Sequence, residues 1–202
     1  IDAGQMGESK NELVFINNYA VVKDPDVAYP WEKRIVGTDA SVAVDEDEQF
    51  NTHRSQKVEV REGSSASILQ RLALPLYRTE RYKVKVHAKA LGNVCIKVAF
   101  HGVGAKEAEV LSESTLTIEK LSEEWSEYEH EFILSSSTSL FNNRYRQYYL
   151  SLEFSGEGTA YLDQVTLFPS DCIDGIFNPE TVRLFKEYKI QSIRWPGGNY
   201  TS

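Results

Sequence analysis

The sequence predicts a mainly β protein, an antiparallel β-sandwich followed by a short helix-strand unit. Two observations predict the sandwich: apolar and polar residues alternate with a period of two through much of the 202-residue chain, and clusters of Gly, Ser and Asn separate the alternating segments. A third observation predicts the second unit, because the apolar residues after Pro169 take up the spacing of a helix.

The alternation is clearest in YKVKVHAKA, residues 82–90, where one face carries Tyr, Val and Ala and the other carries Lys and His. This pattern predicts an antiparallel strand with one buried face. The same reasoning predicts further separate strands in VCIKVAF, YEHEFIL, YYLSLEF and AYLDQVTLF. Polar breaks delimit earlier strands in ELVFINNYAVV, ASVAV, QKVEVRE and SASILQRLAL.

A helix is predicted for residues 178–189, NPETVRLFKEYK, with Asn178 as the N-cap and Pro179 at the first helical position. The following IQSIRW predicts a strand, and WPGGN predicts a tight turn. A helix that leads into a strand is typical of α/β folds rather than of sandwiches. We therefore expect a boundary near residues 168–174.

Composition and charge disfavour several classes of function. A net charge of −8 and a pI near 5.1 disfavour a nucleic-acid partner or an anionic membrane, and favour a neutral substrate. No segment has the roughly 20 apolar residues of a membrane span. Cys95 and Cys172 are isolated from each other and from the four histidines, which predicts free thiols and disfavours a histidine or cysteine metal site.

The C-terminal segment GIFNPETVRLFKEYKIQSIRWPGGNYTS resembles the α-L-arabinofuranosidases of glycoside hydrolase family 51, where a helix, a strand and an Arg-Phe/Trp-Pro-Gly-Gly-Asn/Cys turn follow in this order. IDAGQMGESKNELVFINNYA is similar to the passage from a barrel strand into an inserted module. FNTHRSQKVEV and AYLDQVTLFP are similar to strands of that module. The resemblance implies a jelly-roll, carbohydrate-binding-module-like sandwich attached to a (β/α)8 catalytic barrel.

The resemblance divides the chain into three parts. Residues 1–12 correspond to the connection from a barrel strand, residues 13–170 to the sandwich, and residues 171–202 to a helix-strand stub of the barrel. A complete barrel takes roughly 250 residues, so we expect this chain to be a fragment. The two catalytic glutamates of the family would lie on later barrel strands, so the chain is expected to contain no catalytic residue and to be inactive alone.

The implied activity is that of a retaining glycosidase releasing non-reducing-end α-L-arabinofuranosyl residues from arabinoxylan or arabinan. The expected partners are plant cell-wall polysaccharide or arabino-oligosaccharide and the remainder of the barrel, with no nucleic acid and no membrane. The implied location is secreted or extracytoplasmic, and it is not readable from the sequence itself, whose first residues lack the basic-then-apolar pattern of a signal peptide. The alternatives are a non-catalytic carbohydrate-binding module and a fragment of an endoglucanase of the same family.

By the same resemblance, the substrate-binding residues are Arg194, Trp195, Gly197, Gly198 and Asn199. Arg194 would keep the nucleophilic carboxylate ionised and oriented. Asn199 would hydrogen-bond a sugar hydroxyl, and the glycines would allow close approach of the sugar. The alternative is that this turn only ends a strand.

Aromatic side chains of the sandwich are candidates for stacking on sugar rings. These candidates are Trp31, Tyr145 and Tyr149. The alternative for Trp31 is packing in the core, and Trp125, which opens WSEYEHEF, is expected to anchor its strand in the core.

The implied reaction requires no cofactor, but related sandwiches carry a structural calcium held by an Asp on the last strand and a Glu near the first. Asp163 stands at the first of these positions, whereas Ala20 replaces the Glu. The alternative is that Asp163 caps a turn.

Overall fold

A computed structural model describes most of the chain, namely residues 13–16, 19–22, 24–28, 30–51, 53–74, 78–102, 115–134 and 146–193. Among these residues it has ten strands and one helix, which confirms the predicted mainly β fold. The strands are β1 Leu13–Ile16, β2 Tyr19–Val22, β3 Glu32–Val36, β4 Ala40–Asp45, β5 Ser55–Val60, β6 Ser65–Leu74, β7 Arg81–Gly102, β8 Leu116–Ile118, β9 Ser126–Ile133 and β10 Arg146–Pro169. The helix is α1, Pro179–Glu187.

Two long strands, β7 and β10, pair with each other along most of their length and run through both layers of the sandwich. In the first layer, β9 pairs with the beginning of β7, while β5 and then β4 extend from the end of β10. In the second layer, β8 pairs with the later half of β7, while β6 and then β3 extend from the beginning of β10. All these pairings are antiparallel. β1 and β2 form a two-stranded sheet.

The continuity of β7 and β10 corrects the prediction, which divided each of them into two strands. Glycines make this continuity feasible where the strands pass between layers: Gly92 and Gly156 have φ of +100° and +107°. A Cβ on Gly92 would lie 2.7 Å from the Glu157 carbonyl oxygen, and one on Gly156 would collide with the Asn93 carbonyl oxygen. Glycine therefore lets the paired strands bend together without a chain reversal.

Inward-facing side chains of both layers form one hydrophobic core. Phe100 of the second layer meets Phe132 of the first edge to face, with ring centroids 5.0 Å apart. Burying each large apolar side chain contributes about 1.5–3 kcal/mol, so this shared core holds the layers together. Among the described residues, its largest fully buried members are Tyr82, Phe100, Phe132, Phe154, Ile96, Leu121, Leu134, Leu150 and Leu152.

The predicted helix is confirmed, including its N-cap. Asn178 Oδ1 accepts hydrogen bonds from the backbone N–H groups of Glu180 and Thr181 at 2.9 and 3.3 Å. Residues 190–193 have no regular secondary structure, so the strand predicted after the helix is absent there, and the rest of that prediction lies outside the described residues.

The segment that carries α1 is joined to the sandwich by an ion pair between Arg78 and Asp171, with 3.0 Å between Nη2 and Oδ1. No side chain of α1 is buried. Within the part of the chain that the structure describes, no helix is both long enough and apolar enough to cross a membrane.

Candidate functional site

Aromatic and charged side chains gather on the outer surface of the first layer, beside the loop between β4 and β5. Phe50 in this loop is 45% exposed, and its ring stacks on that of His87 with centroids 4.7 Å apart and planes 22° apart. The Trp125 ring lies 5.9 Å from the Phe50 ring and is tilted by 45°. We call Phe50, His87 and Trp125, together with Lys89 and Glu48, the aromatic platform.

The alternation of β7 positions two members of the platform. Val86, Ala88 and Ala90 are fully buried, so His87 and Lys89 project from the opposite face of the sheet. On the neighbouring strand β9, Ser126 pairs with Ala88. Trp125, one residue before Ser126, therefore falls on the outer face beside Lys89.

The charges of the platform are paired within it or with its neighbours. Lys89 forms an ion pair with Glu48, and its ammonium lies 5.6 Å from the Trp125 ring centroid and 5.4 Å from that of Tyr161. These distances permit cation–π attraction to both rings. His87 Nε2 lies 3.4 Å from Oε2 of Glu127 on β9. Each basic group of the platform therefore faces a carboxylate.

Two aspartates hold the loop that presents Phe50. Asp163 on β10 is 3% exposed, and its Oδ2 accepts hydrogen bonds from the backbone N–H groups of Phe50 and Asn51 at 2.9 and 3.0 Å. Asp45 Oδ1 accepts from the N–H groups of Asp47 and Glu48 at 3.0 and 2.8 Å. Hydrogen bonds to a charged acceptor are strong, so residues 46–51 of the loop have a defined position.

The calcium prediction for Asp163 does not fit this geometry, because one oxygen of its carboxylate faces two N–H donors. The described residues also contain no group of three or more His, Cys, Asp or Glu side chains that could hold a metal ion. The alternative, that Asp163 caps a turn, accounts for the contacts. Cys95 and Cys172 are free thiols, as predicted.

The predicted stacking residues have different locations. Trp31 is 6% exposed and belongs to the core. The prediction that it stacks on a sugar ring is therefore wrong, and the alternative, packing in the core, describes its position. Tyr149 is half-buried on the outer face of the second layer, opposite His101, and its stacking role stays a prediction. Tyr145 lies outside the described residues. Trp125 was expected in the core, but it stands at the platform because it continues the outward positions of β9.

The turn predicted to bind substrate lies outside the described residues. Its members are Arg194, Trp195, Gly197, Gly198 and Asn199. Their roles stay predictions, as do the boundaries of the parts 1–12, 13–170 and 171–202.

Phe50 and His87 were missed by the sequence reasoning, although the sequence contains a signal for each. Phe50 is an aromatic residue in the otherwise polar segment DEDEQFNTHR, and His87 lies on the polar face of a predicted strand. The rings of Phe50 and His87 meet because of how the loop between β4 and β5 folds, and local sequence patterns do not reveal that fold.

Comparisons with known proteins agree on the fold. No protein-family model matches the sequence, and no curated protein sequence matches it significantly. Among solved structures, the arabinose-bound α-L-arabinofuranosidase MgGH51 has 16% identity and a TM-score of 0.59, and the match covers 88% of this chain and 30% of that one. This chain thus spans less than a third of the length of that enzyme.

Two further solved structures are similar over the sandwich. The carbohydrate-binding module TmCBM61, solved with β-1,4-galactotriose, has 14% identity and a TM-score of 0.50, covering 70% of this chain and 90% of that one. The enzymatically active domain of bacteriophage CBA120 tailspike protein 4 has 12% identity and a TM-score of 0.51, and the match covers 71% of this chain and 20% of that one. These likenesses establish a β-sandwich fold shared with carbohydrate-binding modules and with part of a glycoside hydrolase.

Proposed function

We propose that the chain is the sandwich-bearing part of a retaining glycoside hydrolase that releases α-L-arabinofuranosyl residues from arabinan or arabinoxylan. The length of the match to the arabinofuranosidase carries this proposal. It covers 88% of 202 residues, about 178, whereas the predicted sandwich, residues 13–170, spans 158 residues. The match therefore extends beyond the sandwich, while that to the isolated module TmCBM61 covers 70%.

The exposed apolar side chains after β10 support the proposal, because a helix with an uncovered apolar face ordinarily packs against something. In the proposed enzyme these side chains contact the remainder of the catalytic barrel, which supplies both carboxyl groups that glycoside hydrolysis requires. The exposed residues are Ile173, Ile176, Phe177, Leu184, Tyr188, Ile190 and Ile193.

The test is hydrolysis of 4-nitrophenyl α-L-arabinofuranoside and arabinoxylan by this chain alone and by a protein that joins it to the proposed barrel. We expect turnover only from the latter, and at least about a hundredfold loss of kcat for Arg194→Ala, which would remove the partner of the nucleophile. The control is Arg183→Ala, because Arg183 forms only an exposed ion pair with Glu187 in α1. Activity on β-glucans alone would favour the endoglucanase alternative, and turnover by this chain alone would contradict the proposal.

The second candidate function is that of a non-catalytic carbohydrate-binding module. The aromatic platform favours it, because exposed aromatic rings beside hydrogen-bonding groups suit the mixed apolar and polar surface of a sugar. Affinity electrophoresis in gels with arabinoxylan or cellulose tests it: retardation of this chain supports a binding module, and unretarded migration supports a structural role. Either function agrees with an extracytoplasmic location, where such polysaccharides occur.

A further inference from the structure

We propose that the aromatic platform is a binding site for an uncharged, β-linked pyranose oligosaccharide, with one sugar ring against Phe50 and Trp125. This inference goes beyond the proposed hydrolase, because it requires none of the residues of a catalytic pocket. It assigns the binding to the outer face of the first layer, and it rests on the second candidate function, carbohydrate binding, for which it names the class of ligand.

Phe50 presents an accessible aromatic surface to solvent. His87 covers one face of the ring at a centroid distance of 4.7 Å, yet 45% of Phe50 remains accessible, so the accessible surface lies on the other face and the edge. Trp125, tilted by 45° at 5.9 Å, forms a second wall. A pyranose whose substituents are equatorial presents flat C–H faces, which suit such a corner of two aromatic rings.

Hydrogen-bonding groups lie beside the aromatic rings. Glu48 and Lys89 bond to each other, and their side chains are 43% and 13% exposed. A carboxylate offers about four acceptor positions and an ammonium three donors, so a single mutual contact leaves capacity for sugar hydroxyls. The platform thus combines an apolar surface with both kinds of hydrogen-bonding partner.

Charge pairing identifies the ligand as uncharged. Lys89 is paired with Glu48, His87 faces Glu127, and Lys85 lies within 3.2 Å of carboxylate oxygens of Glu127 and Glu129. A uronic acid would have to displace one of these carboxylates from its partner, and it would approach a chain of net charge −8. A neutral sugar encounters neither obstacle.

Hydrogen bonds hold residues 46–51 of the loop in place. Asp163 and Asp45 each accept two backbone hydrogen bonds from the loop, and His87 supports the ring of Phe50 from below. A binding surface that is already in place loses little conformational entropy when the ligand arrives. The platform is therefore preorganised.

Isothermal titration calorimetry of the 202-residue chain tests the proposal, with xylohexaose and cellohexaose as neutral probes and a β-1,4-linked hexaglucuronate, which has the same linkage as cellohexaose, as the charged one. We expect measurable binding of at least one neutral probe and at least about tenfold weaker binding of the charged one. Phe50→Ala and Trp125→Ala should each weaken neutral binding about tenfold or more. Phe177→Ala removes a ring that is 56% exposed but lies outside the platform, and it should change the affinity less than about twofold.

A further variant guards against misfolding as the cause of lost binding. Phe50→Trp keeps an aromatic surface in the same loop and should retain affinity within about threefold, whereas a loop that had collapsed would not be rescued. Absence of binding to both neutral probes, unchanged affinity in Phe50→Ala, or equal affinity for the β-1,4-linked hexaglucuronate would each overturn the proposal. Because the titration involves no turnover, a hydrolase without platform binding and a platform without hydrolysis are distinguishable results.

Discussion

The buried carboxylate of Asp163 accepts a hydrogen bond from the backbone N–H of Phe50, which lies 113 positions earlier in the chain, with 2.9 Å between oxygen and nitrogen. The last long strand of the sandwich thereby fixes the loop that presents an exposed aromatic ring. The stability of the sandwich and the proposed ligand binding at the platform consequently both depend on the side chain of Asp163.

Replacing Asp163 by Asn should lower the free energy of unfolding by about 2–3 kcal/mol, because two charge-assisted hydrogen bonds in a buried position are weakened. Urea unfolding followed by tryptophan fluorescence measures this change. Glu124→Gln, which alters an exposed carboxylate, is the matched control and should change the value by less than about 0.5 kcal/mol. Equal effects of the two substitutions would contradict the role given to Asp163.

Alanine at Gly156 should destabilise the sandwich by about 3 kcal/mol or more, because the backbone is left-handed there and the new Cβ would collide with the Asn93 carbonyl oxygen. Gly63→Ala provides the control: its φ is +80°, but a Cβ there would meet no atom within 4 Å. That variant should lose only about 1–2 kcal/mol. Thermal unfolding monitored by circular dichroism compares the two, and similar midpoints would refute the close approach at the bend.

Substituting Ala for Asn178 should destabilise α1 by about 1 kcal/mol, since the N–H groups of Glu180 and Thr181 would lose their acceptor. Faster amide hydrogen exchange in α1 is the expected signature. The unfolding midpoint of the sandwich should stay unchanged, because no side chain of α1 is buried. A lower midpoint would show that the helix supports the sandwich after all.

Acidification should destabilise the sandwich through His101, whose Nε2 lies 2.7 Å from Ser151 Oγ. Burial, followed by the positive charges of Lys97 and Arg34, lowers the pKa of His101, and Glu153 only partly opposes this shift. A histidine with a lowered pKa in the folded state is protonated first in the unfolded chain. Its contribution to stability is therefore present above the ordinary pKa of about 6.5 and is lost as the pH falls through the lower, folded-state value.

Urea unfolding midpoints between about pH 7.5 and about pH 5 measure this loss. His101→Gln should show a smaller decline with falling pH than the original chain. His53→Gln, altered at an exposed histidine, should keep the original decline. If the unfolding midpoint of His101→Gln falls with pH as steeply as that of His53→Gln, a group other than His101 causes the loss of stability in acid.

Period-two alternation predicted β4, β5, β6, β9 and the two halves of β7 and of β10, and in β7 it predicted which residues face inward, because burial of one sheet face leaves a local record in the sequence. It predicted neither β3 nor β8, which are short strands of five and three residues. It could not predict the continuity of β7 and β10. A glycine between two alternating segments is equally compatible with a chain reversal and with a bend in one continuous strand. Which of the two forms depends on whether a single neighbouring strand pairs with both segments. Gly92 opposes Gly158 across the ladder, a relationship that residues near Gly92 in the sequence do not reveal.

The platform was beyond sequence reasoning for a related reason. Trp125 comes before its strand begins, so its orientation follows from how β9 pairs with β7 rather than from its own neighbours. Trp31 follows Pro30 just before β3 begins, and its burial depends on packing among distant strands. The sequence predicts Trp31 as a stacking candidate and Trp125 as a core residue, and tertiary pairing gives each the opposite location.

The ladder between β7 and β10 fixes the distance between the aromatic platform and the end of β10. Lys89 of the platform is seven residues from Tyr82, and Tyr82 pairs with Pro169, where β10 ends and the chain departs toward α1. At about 3.3 Å per residue, the strand separates these points by roughly 23 Å. The platform and the start of the segment that carries α1 are therefore held at a fixed separation by one continuous pair of strands.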